Sequence, residues 1–204
     1  VTLNPDFVIH SNFQGGLSGD QSMEIFDAAG VPVAVIDVWH PNSIFFGADN
    51  YAAGVLGGND AGKYAADTWG CDDVHILLGE NPPEGDAADL RMVGFRDGVR
   101  VHCGIPDAKV YRINLDGTAD QAITATTDWL TAHPDATYVL CGTIDDERAS
   151  GMARALTQAG REGGCVGQGA DLPGTSLLHE GSIEETKYIS TVAYYPELYG
   201  GFLV

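Results

Sequence analysis

The chain consists of short apolar runs separated by longer segments in which apolar residues recur at helical spacing. Apolar runs of about four to eight residues between turn residues are typical of buried strands, and apolar residues three or four positions apart are typical of amphipathic helices. The run 31–36 is wholly apolar and ends at Asp37, which is the pattern of a central parallel strand. Residues 51–69 then change to helical spacing behind the capping residues Asp49 and Asn50. The pattern predicts strands alternating with helices.

This alternation continues to the end of the chain. The predicted strands are 7–10, 31–37, 74–79, 109–115, 137–141, 165–168 and 188–194, and the predicted helices are 21–29, 51–69, 90–101, 119–132, 146–159 and 175–180. Repeated strand-helix units place parallel strands side by side and cover both faces of the sheet with helices. We therefore expect an α/β fold with a doubly wound parallel sheet of about five strands within residues 74–194, preceded by a smaller strand-helix-strand unit.

No sequence pattern favours a cofactor or a metal. The run 54–58 is glycine-rich but lies inside a helical segment, so close helix packing explains it better than a cofactor loop. Cys71, Cys103, Cys141 and Cys165 form no CxxC pair and lack zinc-type histidine spacing. Cys141 and Cys165 lie in apolar strands, where unpaired thiols behave as small hydrophobes, with a disulfide as the alternative. We expect neither cofactor nor metal, and the cysteines leave the compartment open.

The charge of the chain is strongly acidic. The sequence has 29 Asp and Glu against 10 Lys and Arg, a formal net charge of −19 that repels a phosphate backbone. The carboxylates are spread over the whole length, which is typical of a solvated surface. No apolar run approaches the roughly 18 residues of a membrane span, and Val1 begins without a secretion signal. We expect no nucleic acid partner, no membrane insertion, and a signal that has been removed or lies outside this chain.

Several segments together resemble a known protein family. They are Ile36-Asp37 and the residues 47–54 (GADNYAAG), 90–98 (LRMVGFRDG), 132–135 (AHPD), 145–151 (DDERASG), 166–169 (VGQG) and 195–200 (YPELYG). In order and spacing they resemble the periplasmic sugar-binding proteins of the ribose-binding type, over nearly the whole chain. The resemblance implies a type I periplasmic-binding-protein fold with two α/β lobes that close on a sugar, without catalysis.

The family plan also implies a division of the chain. Residues 1–47 are expected to form part of the first lobe, 48–194 the complete second lobe, and 195–204 the start of the return to the first lobe. The opening units and the closing helix of the first lobe have no counterpart here. The resemblance therefore implies a chain truncated at both ends.

Three charged residues are candidate ligand contacts. Asp37 ends a central strand, and its carboxylate can accept hydrogen bonds from vicinal hydroxyls; the alternative is a cap or a hinge carboxylate. Arg91 opens a helix with a fork of donors that suits two sugar oxygens, as in its family counterpart; the alternative is a surface arginine. Asp145 stands where the family commonly carries an amide. Either it accepts from a donor-rich ligand or Asp146 takes over the contact, with helix capping as its alternative.

Five further residues are candidates at the same strand ends. Tyr194 stands where ribose binders carry a glutamine, and its ring could stack on a pyranose, as could Trp39; packing is the alternative for both. Gln168 and Asp171 flank the loop at Gly169, where the resemblance implies a carboxylate that is missing here. Asn12, with the neighbouring serine, is a candidate polar contact from the first lobe.

Two classes of function compete for this sequence. The first is a solute-binding protein, periplasmic or extracellular and free or lipid-anchored, that delivers a small neutral sugar or polyol to an ABC transporter permease. A neutral ligand is favoured because Asp37 and Asp145 outnumber Arg91 in the expected site. The second is the ligand-sensing domain of a LacI-type repressor or of a membrane receptor, since the same fold serves there. An enzyme is not expected because the histidines are scattered outside any catalytic motif.

Overall fold

A computed structural model describes residues 3–11, 17–37, 39–82, 85–199 and 201. Its strands are β1 (Val8–Ser11), β2 (Val33–Ile36), β3 (Ile44–Phe46), β4 (Val74–Glu80), β5 (Val110–Asn114), β6 (Tyr138–Thr143), β7 (Glu162–Gly169) and β8 (Tyr188–Ala193). Its helices are α1 (Leu17–Ala29), α2 (Asn50–Trp69), α3 (Asp86–His102), α4 (Ala119–Ala132), α5 (Asp146–Gln158), α6 (Leu172–Glu180) and α7 (Ile183–Thr186), with short 3₁₀ turns at Asp107–Lys109 and Pro196–Leu198.

These strands form two sheets that are parallel throughout. The smaller sheet has the order β1-β2-β3, and the larger, five-stranded sheet has the order β5-β4-β6-β7-β8. The larger sheet is doubly wound because the strand order reverses between β4 and β6. The α/β fold expected from the sequence is confirmed, including the parallel five-stranded sheet.

Two apolar clusters lie on opposite faces of the larger sheet. One cluster joins α2 and α3 to the strands and contains Val74, Ile76, Leu78, Phe95, Leu140 and Val166. The other joins α4 and α5 to the strands and contains Leu77, Leu115, Val139, Cys141, Met152 and Cys165. Because side chains alternate between the two faces of a strand, burial on both faces explains the continuous apolar runs 76–78 in β4 and 138–141 in β6.

The helices α2 and α3 pack with their backbones in direct contact. A Cβ atom added at Gly54 or Gly58 would lie 2.1 Å from the carbonyl oxygen of Arg91 or Phe95, respectively. From the other side, a Cβ atom at Gly94 would lie 2.2 Å from the carbonyl oxygen of Tyr51. The glycines of 54–58 therefore serve helix packing, as the sequence predicts.

Some boundaries differ from the prediction. The strand β3 was not predicted, because it has only 3 residues and they are not buried, so it lacks the long apolar run of a central strand. The helix α3 begins at Asp86 rather than at 90, and α6 begins at Leu172 rather than at 175, because polar and proline-containing first turns carry no apolar periodicity.

Two of the cysteines form a disulfide. Cys71, after α2, is bonded to Cys103, after α3, at a Cα–Cα distance of 5.4 Å. Cys141 and Cys165 are free, buried, and opposite each other on β6 and β7, as expected for small apolar residues. Within the described ranges, no helix has the length and apolar character needed to cross a membrane.

Candidate functional site

A cavity of about 600 Å³ opens at the carboxyl ends of β6, β7 and β8. Six of the predicted site residues line it, namely Asp37, Arg91, Asp145, Gln168, Asp171 and Tyr194. Its volume lies within the range of small-molecule sites, about 300–1,000 Å³. Carboxyl ends of parallel strands are where open α/β sheets bind ligands, because the loops that follow them face the crevice.

Arg91 is held in place by the chain around it. Its Nε donates to Asn50 Oδ1 at 2.7 Å, and its Nη1 donates to the carbonyl oxygen of Ile144 at 2.9 Å. The guanidinium carbon lies 4.8 Å from the centre of the Tyr194 ring, a cation–π distance. The arginine is thus anchored at the wall of the cavity and is not an unconstrained surface side chain.

Tyr194 is fixed at both its ring and its hydroxyl group. The hydroxyl donates to Gln168 Oε1 at 2.5 Å, and Gln168 itself is buried. Burial raises the pKa of Tyr194 to about 12 against the opposing influence of Arg91, so the phenol remains a donor at physiological pH. One face of the ring is covered by Arg91, which leaves at most the other face for a ligand.

Asp37 lies in a left-handed backbone conformation, with φ 63°. Its Oδ1 accepts from the amide of Ala48 at 3.2 Å, and its amide donates to the carbonyl oxygen of Phe46. A Cβ atom at Gly47 would lie 2.6 Å from the same Oδ1, so the glycine makes room for the carboxylate. These contacts fix the carboxylate directly after β2, at the wall of the cavity.

Asp145 and Asp146 have different environments. Asp145 caps α5 by accepting from the amide of Arg148 at 2.8 Å, and it forms an ion pair with the guanidinium of the same residue. Asp146 does not replace it in the cavity, because its carboxylate is fully buried and accepts from Tyr188, Thr191 and the amide of Asp171. Helix capping and an ion pair thus hold Asp145 at the cavity wall.

The loop after β7 places the carboxylate of Asp171 next to Gly169, which has no side chain of its own. A Cβ atom at Gly169 would lie 2.9 Å from Asp171 Oδ2, so the side chain of Asp171 occupies the space next to the glycine. Asp171 is exposed to the cavity. Its carboxylate therefore stands beside the position where the resemblance implies one.

One predicted site residue, Trp39, is not brought into the cavity. Trp39 is 64% exposed and does not line the cavity. Asn12 lies outside the described residues.

Several cavity residues were not predicted. Tyr195 is 59% exposed, has φ 52°, and lines the cavity together with Glu197. Asn50 does not line the cavity itself but accepts from Arg91, which does. The polar character of these positions was visible in the sequence, but their proximity follows only from the fold.

The cavity carries a net negative charge. Asp37, Asp145, Asp171 and Glu197 line it, against Arg91 in the lining and Arg148 behind Asp145. Asp171 and Glu197 thus add two carboxylates to the expected pair, Asp37 and Asp145. Arg148 adds one cation that was not predicted from the sequence. Among the described residues, no cluster of His, Cys, Asp and Glu has the arrangement of a metal site.

A family model described as periplasmic binding protein domain matches residues 3–202. Members of that family bind solutes and are not enzymes. No curated protein matches the chain by sequence.

Solved structures share the fold at low sequence identity. An ABC transporter periplasmic solute-binding protein from Actinobacillus succinogenes with bound D-allose has a TM-score of 0.72 and 18% identity, covering 97% of this chain and 69% of that one. The Caulobacter myo-inositol binding protein has a TM-score of 0.71 and 22% identity, covering 95% and 64%. A LacI family regulator from Enterococcus faecium with bound ribose has a TM-score of 0.58 and 22% identity, covering 81% and 59%. The chain thus spans about two thirds of the length of such structures or slightly less.

Proposed function

The chain belongs to the periplasmic binding protein domain family, and on that premise we propose that it captures a small neutral sugar or polyol and delivers it to an ABC transporter permease. The observation that carries the proposal is the anchored guanidinium of Arg91, which shares one cavity with the carboxylates of Asp37 and Asp145. Donors and acceptors fixed on facing walls match a ligand whose hydroxyl groups both donate and accept.

The proposed ligand lies between two lobes. We assign residues 1–47 to the first lobe, 48–194 to the second, and 195–204 to the return toward the first. Asp37 comes from the first of these units and Arg91, Asp145 and Tyr194 from the second, so closure would bring the walls together. The edge-to-face contact of Phe46 with Tyr199, at 5.2 Å between ring centres, supports the return of the last segment to the first lobe.

A neutral ligand is favoured by electrostatics. A ligand carboxylate or phosphate near four carboxylates would meet like charges; at ~4 Å and an effective dielectric near 20, one such pair costs about 4 kcal/mol. Neutral hydroxyl groups avoid that cost. They also form hydrogen bonds with the polar groups of the cavity, which lose their bound water when a ligand enters. The exposed ring of Tyr195 is the best placed aromatic surface for the apolar face of a sugar, because Arg91 covers one face of Tyr194.

The disulfide supports a location outside the cytoplasm. Disulfides persist in the periplasm and outside the cell, whereas cytosolic thiols are kept reduced. The bond between Cys71 and Cys103 therefore agrees with the extracytoplasmic location of the family. The protein is accordingly proposed to be periplasmic or extracellular, whether free or lipid-anchored.

A ligand-sensing domain is the second candidate function. The LacI family regulator that shares the fold supports it. A repressor works in the cytosol, where the disulfide between Cys71 and Cys103 would not persist, so transport remains the better proposal.

A thermal-shift screen of the intact protein tests the proposal. Pentoses, hexoses, inositols, amino sugars and organic acids are each added in excess, since a ligand that binds only the folded state raises the Tm. We expect at least one neutral sugar or polyol to raise the Tm. We also expect Arg91→Ala to lose the shift while Arg154→Ala keeps it, because Arg154 is exposed on α5 and does not line the cavity.

Two outcomes would contradict the proposal. If organic acids alone raised the Tm, with no change for any sugar or polyol, the proposal of a neutral ligand would be contradicted. An unchanged shift in a folded Arg91→Ala variant would remove the arginine from the site.

A further inference from the structure

We infer that Asp146 is a positioning residue for the cavity: its buried carboxylate fixes the backbone of residues 169–171, which form one wall. The role of that wall in ligand binding rests on the proposed function, whereas the fixing of the backbone does not. Asp146 itself does not contact a ligand in the cavity, since it is fully buried and does not line the cavity.

The carboxylate of Asp146 joins three elements. Its Oδ1 accepts from the Tyr188 hydroxyl at 2.7 Å and from Thr191 Oγ1 at 2.6 Å, both on β8. Its Oδ2 accepts from the amide of Asp171 at 2.5 Å. Thr191 Oγ1 in turn accepts from the amide of Ala170 at 3.0 Å. The amides of Ala170 and Asp171 are therefore both tied to Asp146, one through Thr191 and one directly.

The space for this carboxylate is made by two glycines. A Cβ atom at Gly167 would lie 2.0 Å from Asp146 Oδ1, and one at Gly174 would lie 2.7 Å from the carboxyl carbon. Any side chain at either position would displace the carboxylate. These glycines on β7 and α6 are thus matched to Asp146 on α5.

The buried charge is compensated without a cation. Within the described part of the chain, the contacts of Asp146 are the two hydroxyls and the amide, and no lysine or arginine pairs with it. Asp146 is the first residue of α5, where the helix dipole favours a negative charge. Hydrogen bonds to a charged group are stronger than neutral ones, so the arrangement holds its donors firmly.

The backbone that Asp146 fixes has an unfavourable conformation at Ala170. Gly169 has φ 121° and Ala170 has φ 59°, both in the left-handed region, which is unfavourable for alanine. The hydrogen bonds from the amides of Ala170 and Asp171 offset that cost. They also determine where the carboxylate of Asp171 stands in the cavity.

Two matched variants test the inference. Thr191→Val removes the hydroxyl that links Ala170 to Asp146, and Tyr188→Phe removes a hydroxyl that contacts the same oxygen but not the loop. Amide hydrogen exchange of the ligand-free protein is measured by NMR and compared with the stability of each variant to urea. We expect the amide of Ala170 to exchange about tenfold faster in Thr191→Val, the factor given by one lost hydrogen bond of ordinary strength, but to be unchanged in Tyr188→Phe.

A second pair of variants keeps the test independent of Thr191. Asp146→Ala should accelerate exchange at Ala170 and Asp171, and Asp146→Asn should restore most of the protection, because an amide oxygen can accept from Asp171 while its NH₂ donates to the hydroxyls. Unchanged exchange at both amides in Asp146→Ala, or equal acceleration in Tyr188→Phe and Thr191→Val, would overturn the inference.

Ligand binding gives a separate readout. With the sugar or polyol that raises the Tm most, we expect Thr191→Val to raise the Kd about tenfold and Tyr188→Phe to leave it unchanged. An equal rise in both would reduce Asp146 to a purely structural role and overturn the inference. If no sugar or polyol binds, the proposed function fails, and the exchange measurement still decides whether Asp146 fixes the loop.

Discussion

At the scale of single residues, several of the few cations of this acidic chain are paired with particular carboxylates. Arg148 pairs with Asp145 at the cavity, and Lys109 donates to Asp73 at 2.7 Å at the opposite end of the larger sheet. Asp73 also accepts from Thr137, which precedes β6. These contacts hold the pKa of Asp73 well below its usual value, chiefly through the hydrogen bond from Lys109.

The Asp73 cluster predicts a pH-dependent stability. Because the pKa is lowered on folding, its contribution is present above the unfolded pKa of 3.8 and is lost as the pH falls below it. Unfolding by urea should therefore show the wild type more stable than Asp73→Asn at pH 6, by about 1 kcal/mol or less because the group is exposed, with the difference shrinking steadily as the pH falls below 3.8. A difference that grew on acidification would contradict this assignment.

The residues of the site were predictable to different degrees. Asp37 was visible because it ends a strand, a position that faces the crevice in a doubly wound sheet. Arg91 was identified through the family motif around it, but it lies in the second turn of α3 and does not open the helix as predicted. The burial of Asp146 was not, because it depends on the absence of side chains at Gly167 and Gly174, which are distant in sequence. Trp39 was proposed because it closely follows Asp37 in the sequence, but only Asp37 lines the cavity.

At the scale of elements, the contact of α2 with α3 determines where Arg91 lies. Gly54 packs against the backbone carbonyl group of Arg91. The contact between the two helices therefore fixes the backbone position from which the arginine side chain extends. Elements with long apolar patterns were predictable. The strand β3 was not, because its 3 residues depend on pairing with β2.

Gly58→Ala tests this packing. The alanine Cβ would lie 2.1 Å from the backbone carbonyl oxygen of Phe95, which cannot rotate away, so the helices must separate. We expect the free energy of unfolding to fall by about 1–3 kcal/mol in urea denaturation, despite the better helix propensity of alanine. Gly104→Ala is the control, since no atom lies within 4 Å of its added Cβ, and it should be neutral. Equal stability of the two variants would contradict the close packing.

At the scale of the whole molecule, the disulfide joins the C-terminal ends of α2 and α3 covalently. Cys71 and Cys103 are 32 residues apart, and both follow the ends of these helices. The bond was not predicted, because sequence spacing alone does not show that two helix ends meet.

Thiol titration tests the cysteine assignment. The native protein should show no accessible thiol, the unfolded protein should show the two of Cys141 and Cys165, and reduction should release the other two. Loss of the disulfide in Cys71→Ser with Cys103→Ser should lower stability by about 3–4 kcal/mol, the loop-closure value for this separation. Four reactive thiols in the unfolded, unreduced protein would contradict the assignment.

The charge of the cavity is the property on which the proposed ligand class depends. Calorimetric titration of the intact protein with the neutral sugar that gives the largest thermal shift, and with the uronic acid of the same ring, isolates one carboxylate as the only difference. The surplus of carboxylates over guanidinium groups at the cavity predicts one-to-one binding of the neutral sugar and at least about tenfold weaker binding of the acid, a difference of about 1.4 kcal/mol or more. Equal or tighter binding of the uronic acid would contradict a cavity built for neutral solutes.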